Sequence, residues 1–246
     1  MIKRSIYLLP NLFTTGNLLC GFSSIIAALN GQYVQAALAI LIAVGLDCLD
    51  GKVARMTNST SAFGLEYDSL ADLLSFGMAP GLLLYAWLLQ PFGRFGWLAA
   101  FLFVICGALR LARFNVQATS VQQYIFVGLP IPAAAGVIAS AVLLIERLAH
   151  DMQGPDIDRP LFIVLAVYAL ALLMVSNFKY RSFKQLRLRR PLPLPLLGGA
   201  ILALPLVILM PEASLFLVFL GYALSGPFET LLRRKKPDEE VLPAEQ

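Results

Sequence analysis

Long apolar runs alternate with short polar breaks along nearly the whole chain. A helix that crosses a bilayer needs about 20 mostly apolar residues. By that measure the pattern predicts eight spans, at roughly 11–29, 33–55, 66–90, 95–115, 129–147, 160–178, 193–210 and 213–231. Asn30-Gly31, Gln90-Pro91, Gly154-Pro155 and Pro191 punctuate them, as residues that break helices should. The expected fold class is therefore all-α: a polytopic integral membrane helical bundle. No internal repeat or soluble domain is visible, so residues 1–236 read as a single membrane-embedded domain, and 237–246 as a short polar tail. Lys3 and Arg4 precede Ile6, Tyr7, Leu8 and Leu9, so residues 1–9 are expected to lie along the membrane surface. The apolar run from Ile6 to Leu29 is too long for a signal-peptide core and contains Pro10, Asn11 and Asn17, so it is read as part of the mature fold.

Composition agrees with the pattern. The 246 residues are 59% hydrophobic and 14% charged, with a mean hydropathy of +0.76, which lies outside the soluble range. A net charge of +4 is too small to suggest nucleic acid. Cys20, Cys48 and Cys106 lie in apolar stretches without metal-ligand spacing, and the only histidine, His150, has no cysteine or histidine near it in the sequence. Soft-ligand metal chemistry is thereby set aside, and oxygen ligands remain.

Charge orients the bundle. With both termini cytoplasmic, Lys3, Arg4, Lys52, Arg55, Arg110, Arg113, the basic positions from Lys179 to Arg190, and Arg233 to Lys236 fall inside. Only Arg94, Arg147 and Arg159 fall outside, a division of 16 against 3 among the 19 basic residues. The acidic 146–159 loop falls outside, and Trp87 and Trp97 approach the outer interface, where aromatic belts sit. The basic run from Lys179 to Arg190 reads as an orientation signal that also attracts anionic headgroups, or as a set of side chains holding a lipid phosphate.

Against this background one stretch is anomalous. Asp47 and Asp50 close the second predicted span, and Asp68 and Asp72 open the third. An acid at mid-helix in a membrane costs roughly +2.5 to +3.5 kcal/mol on insertion scales. The first pair is three apart and the second four apart, so on helices each pair shares a face. The short 56–65 connection should make the two helices neighbours, with all four carboxylates converging at the cytoplasmic edge. Like charges so placed cannot all ionise unaided. A hard cation such as Mg²⁺ or Mn²⁺, which characteristically completes its shell with substrate phosphate oxygens, resolves the conflict. Gly51 and Ala54 leave room for a nucleotide beside the helix, Gly64 suits a tight turn before the third span, and Arg55 can grip a phosphate.

The residues Asp47, Asp50, Gly51, Ala54, Arg55, Gly64, Asp68 and Asp72 form the pattern Asp-x2-Asp-Gly-x2-Ala-Arg-x8-Gly-x3-Asp-x3-Asp, which resembles the signature of the CDP-alcohol phosphatidyltransferases at every position. The resemblance implies a membrane-embedded helical enzyme, usually a homodimer, that displaces CMP from a CDP-linked lipid with an alcohol. It makes Asp47, Asp50, Asp68 and Asp72 the ligands of two divalent cations and Asp72 the candidate general base. Gly51, Ala54, Arg55 and Gly64 would line the nucleotide and diphosphate.

The flanks bear on the alcohol. Pro10-Asn11-Leu-Phe-Thr14-Thr-Gly-Asn17-Leu-Leu-Cys-Gly21-Phe, Ser75-Phe-Gly-Met-Ala-Pro80 and Ala108-Leu-Arg110-Leu-Ala-Arg113-Phe-Asn115 are similar to the phosphatidylserine synthase branch. That branch implies CDP-diacylglycerol and L-serine as substrates, phospholipid biosynthesis as the role, and a bacterial or archaeal cell membrane with a cytoplasmic site. Arg110, Arg113 and Asn115 then become candidates for holding the acceptor, although arginines at a helix end also snorkel and orient. Asn11 and Thr14 could reach cytidine or phosphate, or could cap the first helix. Ser75 has no histidine nearby to activate it and reads as a packing residue. The alternatives are a sibling enzyme using glycerol 3-phosphate or inositol phosphate, which should want a denser basic pocket, and, more distantly, a divalent-cation transporter. Against the transporter, the four acids cluster at one interface and do not continue through the bilayer.

Overall fold

The apolar runs fold as helices wherever the computed structural model describes them, at residues 8–56, 61–118, 125–152, 161–181 and 207–233. Two long helices lead, α1 (Leu8–Leu29) and α2 (Tyr33–Met56), separated by the Asn30-Gly31 break and packed along each other. Both carry large apolar side chains on their outer faces, among them Leu19, Phe22, Leu38 and Ile42, which suits hydrocarbon and not water.

The expected spans at 66–90 and 95–115 belong to one helical stretch, Ala62–Val116, of 55 residues. Laid straight it would run about 80 Å, far beyond the roughly 30 Å hydrocarbon core. It folds back instead. α3 (Ala62–Asp72) continues through a π-helical turn, Leu73–Met78, into α4 (Ala79–Leu84), a second π turn, Tyr85–Leu89, and a 3₁₀ turn, Gln90–Phe92. Each π segment precedes a proline, Pro80 or Pro91, whose ring cannot accept the carbonyl one turn back and which offers no N–H. Gly93 then takes φ 54, a left-handed value that glycine tolerates, and α5 (Gly93–Ala118) returns against the preceding segments.

A short strand β1 (Ile125–Val127) leads to α6 (Ile131–Met152), followed by α7 (Leu161–Val175) and a strand β2 (Lys179–Arg181). β1 and β2 pair antiparallel, Phe126 opposite Tyr180, a small departure from the expected all-helical fold. α8 (Pro211–Arg233) packs on α6. α6 is the central rod. Its small residues Ala133, Ala134, Ala135, Ala139 and Ser140 are buried and let neighbouring helices approach closely.

Among the described residues five helical stretches are long and apolar enough to cross a membrane, and one of them contains two expected spans. α7 is shorter than expected, at 15 residues. Of the expected 193–210 span only 207–210 are described, and the surface segment 1–7, the basic positions 182–190 and the tail 237–246 lie outside the described residues. At the end of α6 far from Ile131, Trp87 Nε1 donates to Glu146 Oε1 at 2.6 Å, and Arg147 bridges to Glu212.

α1 is seated on the first π turn at Gly21, where a Cβ would meet the Ser75 backbone at 2.7 Å. Gly45 on α2, by contrast, has open space around it. Gly21→Ala is therefore expected to lower the thermal midpoint in detergent by the equivalent of about 1–3 kcal/mol, the usual range for overpacking. Gly45→Ala should leave the midpoint unchanged or raise it, since alanine favours a helix by up to about 1 kcal/mol. Equal midpoints for the two variants would show that the α1 contact tolerates a methyl group.

Candidate active site

The acids of α2 and α3 meet because α1 packs against both helices. One carboxylate oxygen each from Asp47, Asp68 and Asp72 lie within 4.8 Å of one another. Asp72 is the last residue of α3 before the π turn and is buried. Its Oδ1 accepts a hydrogen bond from Asn17 Nδ2 at 3.1 Å. Asn17 is itself fully buried, and its main-chain carbonyl accepts from Ser75 Oγ at 2.9 Å. Asp50, also buried, stands beside the trio and accepts from the Thr14 hydroxyl. One face of α1 thus supplies donors to two of the four acids.

The trio opens on a cavity of about 500 Å³, within the usual range for small-molecule sites. Gly51, Ser69 and Arg110 line it beside the acids. Pro130 and Pro132 at the start of α6 and Phe219 and Tyr222 on α8 complete the lining. Arg110 is buried, and its Nε has no hydrogen-bond partner. The Asp68 Oδ1 atom is likewise buried without a partner.

The positions singled out in the sequence separate into groups. Asp47, Asp68, Asp72, Gly51 and Arg110 share the cavity. Thr14 lies within α1 and bonds Asp50, and Asn11 lies one turn earlier, so neither caps that helix; the cap reading is corrected. Gly64 does not make the expected turn. It sits in the first turn of α3, its N–H donating to the N-cap Ser61 at 3.0 Å, because serine there satisfies an otherwise free helix amide. Ala54 and Arg55 fall in the last turns of α2, and their side chains lie outside those described. Arg113 is exposed and donates to Asn177 Oδ1 at 3.0 Å, while Asn115 donates to Ser69 Oγ at 3.0 Å and so reaches the cavity only through that serine. Asn17, Ser69 and Tyr222 received no role from the sequence. A polar residue in an apolar run marks Asn17, but nothing local marks Tyr222.

The donor set fits a divalent cation. Three carboxylates converge, one with an orphaned buried oxygen, and among the described residues none of the four acids makes a salt bridge. Hard oxygen ligands of this kind suit Mg²⁺ or Mn²⁺.

Long apolar helices around a cavity with three acids and a buried arginine define the class, a helical membrane protein with an acid-lined pocket. Residues 7–176 match the family model for CDP-alcohol phosphatidyltransferase, and the chain belongs to that family of enzymes. It is 45% identical over 182 residues to a CDP-diacylglycerol–serine O-phosphatidyltransferase of Helicobacter pylori, covering 74% of this chain and 75% of that one. A protein of the same name from Bacillus subtilis is 34% identical over 72% of this chain and 92% of its own length. An archaetidylserine synthase of Methanothermobacter thermautotrophicus is 37% identical over 70% of this chain and 69% of its own.

Removing one ligand from the trio should be felt directly in metal affinity. Asp68→Asn is expected to weaken Mn²⁺ binding, read by electron paramagnetic resonance on the purified protein, by about tenfold or more, equivalent to roughly 1.4 kcal/mol. Wild-type affinity in that variant would take Asp68 out of the ligand set.

Proposed function

We propose that the chain transfers the phosphatidyl group of CDP-diacylglycerol to L-serine, releasing CMP and giving phosphatidylserine in phospholipid biosynthesis. The observation that carries this reading is the Asp47–Asp68–Asp72 group opening on a cavity shared with Arg110. Its support from relatives is the 45% identity to an enzyme named for that reaction.

Asp47, Asp50, Asp68 and Asp72 would hold the divalent cations, Mg²⁺ or Mn²⁺ and two to a site, which when bound polarise the diphosphate and offset the charge on departing CMP. Gly51, Ala54, Arg55, Gly64, Asn11 and Thr14 are assigned to the CDP-lipid. Of these, Gly51 supports the assignment best, because its missing side chain leaves the cavity wall beside the acids open. The serine hydroxyl oxygen forms the new bond to the lipid-linked phosphorus, and the bond from that phosphorus to the CMP oxygen breaks. The hydroxyl proton passes to the Asp72 carboxylate, which Asn17 orients. Arg110 receives the acceptor carboxylate, with Arg113 and Asn115 assigned to the same end of α5.

The acceptor choice has a physical basis. Glycerol 3-phosphate or inositol phosphate brings a doubly charged group, whereas Arg110 is the one cationic side chain lining the cavity among the described residues. A single carboxylate matches a single guanidinium. The full reading places eight spans in a bacterial or archaeal cell membrane as a homodimer, with both termini and the site on the cytoplasmic side; the 16-to-3 division of basic residues supports the orientation.

Purified protein offered CDP-diacylglycerol with labelled serine, glycerol 3-phosphate or inositol phosphate is expected to label lipid only from serine. Lipid labelled only from one of the other acceptors would replace the substrate assignment. Asp72→Asn should abolish product while CDP-lipid binding, measured separately, is substantially retained. Turnover at the wild-type rate in that variant would remove Asp72 as the base.

A further inference from the structure

The family match ends at residue 176, yet α8, which begins at Pro211, closes the cavity. Val218, Phe219 and Tyr222 lie on one face of that helix and line the same cavity as the acids. Of these three only Tyr222 carries a polar side-chain atom. Arg110 lines the same cavity, and the phenol and the guanidinium lie within each other's electrostatic reach.

The Tyr222 ring is held in place by packing. It lies tilted at 45° on the ring of Tyr180, with centroids 5.7 Å apart. Tyr180 is buried in β2, and its hydroxyl donates to the Ala223 carbonyl on α8 at 2.9 Å. Burial, with Tyr222 alongside, pushes that phenol up to about 12, so it remains a donor across the working pH range. Gly226, one turn on, lets the Tyr180 ring lie against α8 where any Cβ would collide with it. β2 pairs with β1, and the chain after β1 runs through Gly128 and Leu129 to Pro130 on the cavity wall. The strand pair therefore sets α8 and the start of α6 against the acids as one unit.

We infer that Tyr222 is a specificity-determining residue of this pocket, its hydroxyl donating a hydrogen bond to the acceptor's carboxylate beside Arg110. The inference rests on the reading of the acceptor as an α-amino acid. Such a molecule carries an ammonium and a carboxylate a few ångström apart, and the cavity lining holds partners for both: three acids for the ammonium, and Arg110 with a phenol in its reach for the carboxylate. A carboxylate turned toward Asp47, Asp68 and Asp72 is repelled. Turned toward Arg110 on α5 it meets a charged donor, with the Tyr222 phenol of α8 within that guanidinium's electrostatic reach. Loss of a hydrogen bond to a charged group is costlier than loss of a neutral one.

The test is steady-state kinetics of the full-length Tyr222→Phe protein with CDP-diacylglycerol and labelled serine. Phenylalanine keeps the ring that packs on Tyr180 and removes only the hydroxyl. The KM for serine is expected to rise about tenfold or more. The KM for CDP-diacylglycerol, the kcat at saturating serine and the thermal midpoint should stay near wild type. An unchanged serine KM overturns the role of Tyr222, and so does an equal rise for both substrates, which marks a structural effect. Failure of the wild-type protein to use serine, while it turns over another alcohol, overturns the acceptor reading beneath it; the two failures are separately visible.

Discussion

Everything near the cavity follows from the mutual repulsion of carboxylates held within 4.8 Å in an apolar bundle. Separating such groups from water is expensive, and bringing three together adds Coulomb repulsion that the low-dielectric surroundings amplify. The fold offsets this with a buried amide on Asp72, a hydroxyl on Asp50 and a buried guanidinium facing the same space. These donors do not balance the charge. The remaining deficit is what a divalent cation and a phosphorylated, amphoteric pair of substrates would fill.

The supporting framework is built to keep that arrangement in register. α1 contributes no carboxylate, yet it touches both acid-bearing helices and supplies Thr14 and Asn17. Its close seat at Gly21 and the Ser75 bond to the Asn17 carbonyl tie it to the π turn that follows Asp72. A π turn widens the helix by one residue and rotates what lies on either side. Here it separates the acid-bearing α3 from the purely apolar α4, so Pro80 shapes the site without lining it.

The α6 and α8 side of the lining is held by different contacts. The β1–β2 pair is only three residues long on each strand, but it links the approach to α6 with the tyrosine that packs under α8. The lining differs in chemistry from helix to helix: α2 and α3 bring acids, whereas α8 brings apolar side chains and one phenol.

Much of this was legible in the chain. The period and length of the apolar runs determine the helices, because lipid-length burial leaves few alternatives. Acids at i, i+3 and i, i+4 on segments joined by a short loop determine that carboxylates gather, because helical pitch puts each pair on one face. Other features needed tertiary contacts. Asp50 turns to Thr14 while its three partners converge, Gly64 enters the helix instead of making a turn, and Arg110 enters the cavity while Arg113 does not. Tyr222 lies 150 residues beyond Asp72 and has no local pattern. It reaches the site only because α6 and the strand pair bring α8 there. Local spacing carries information about a face of one helix; which faces meet depends on how the helices pack.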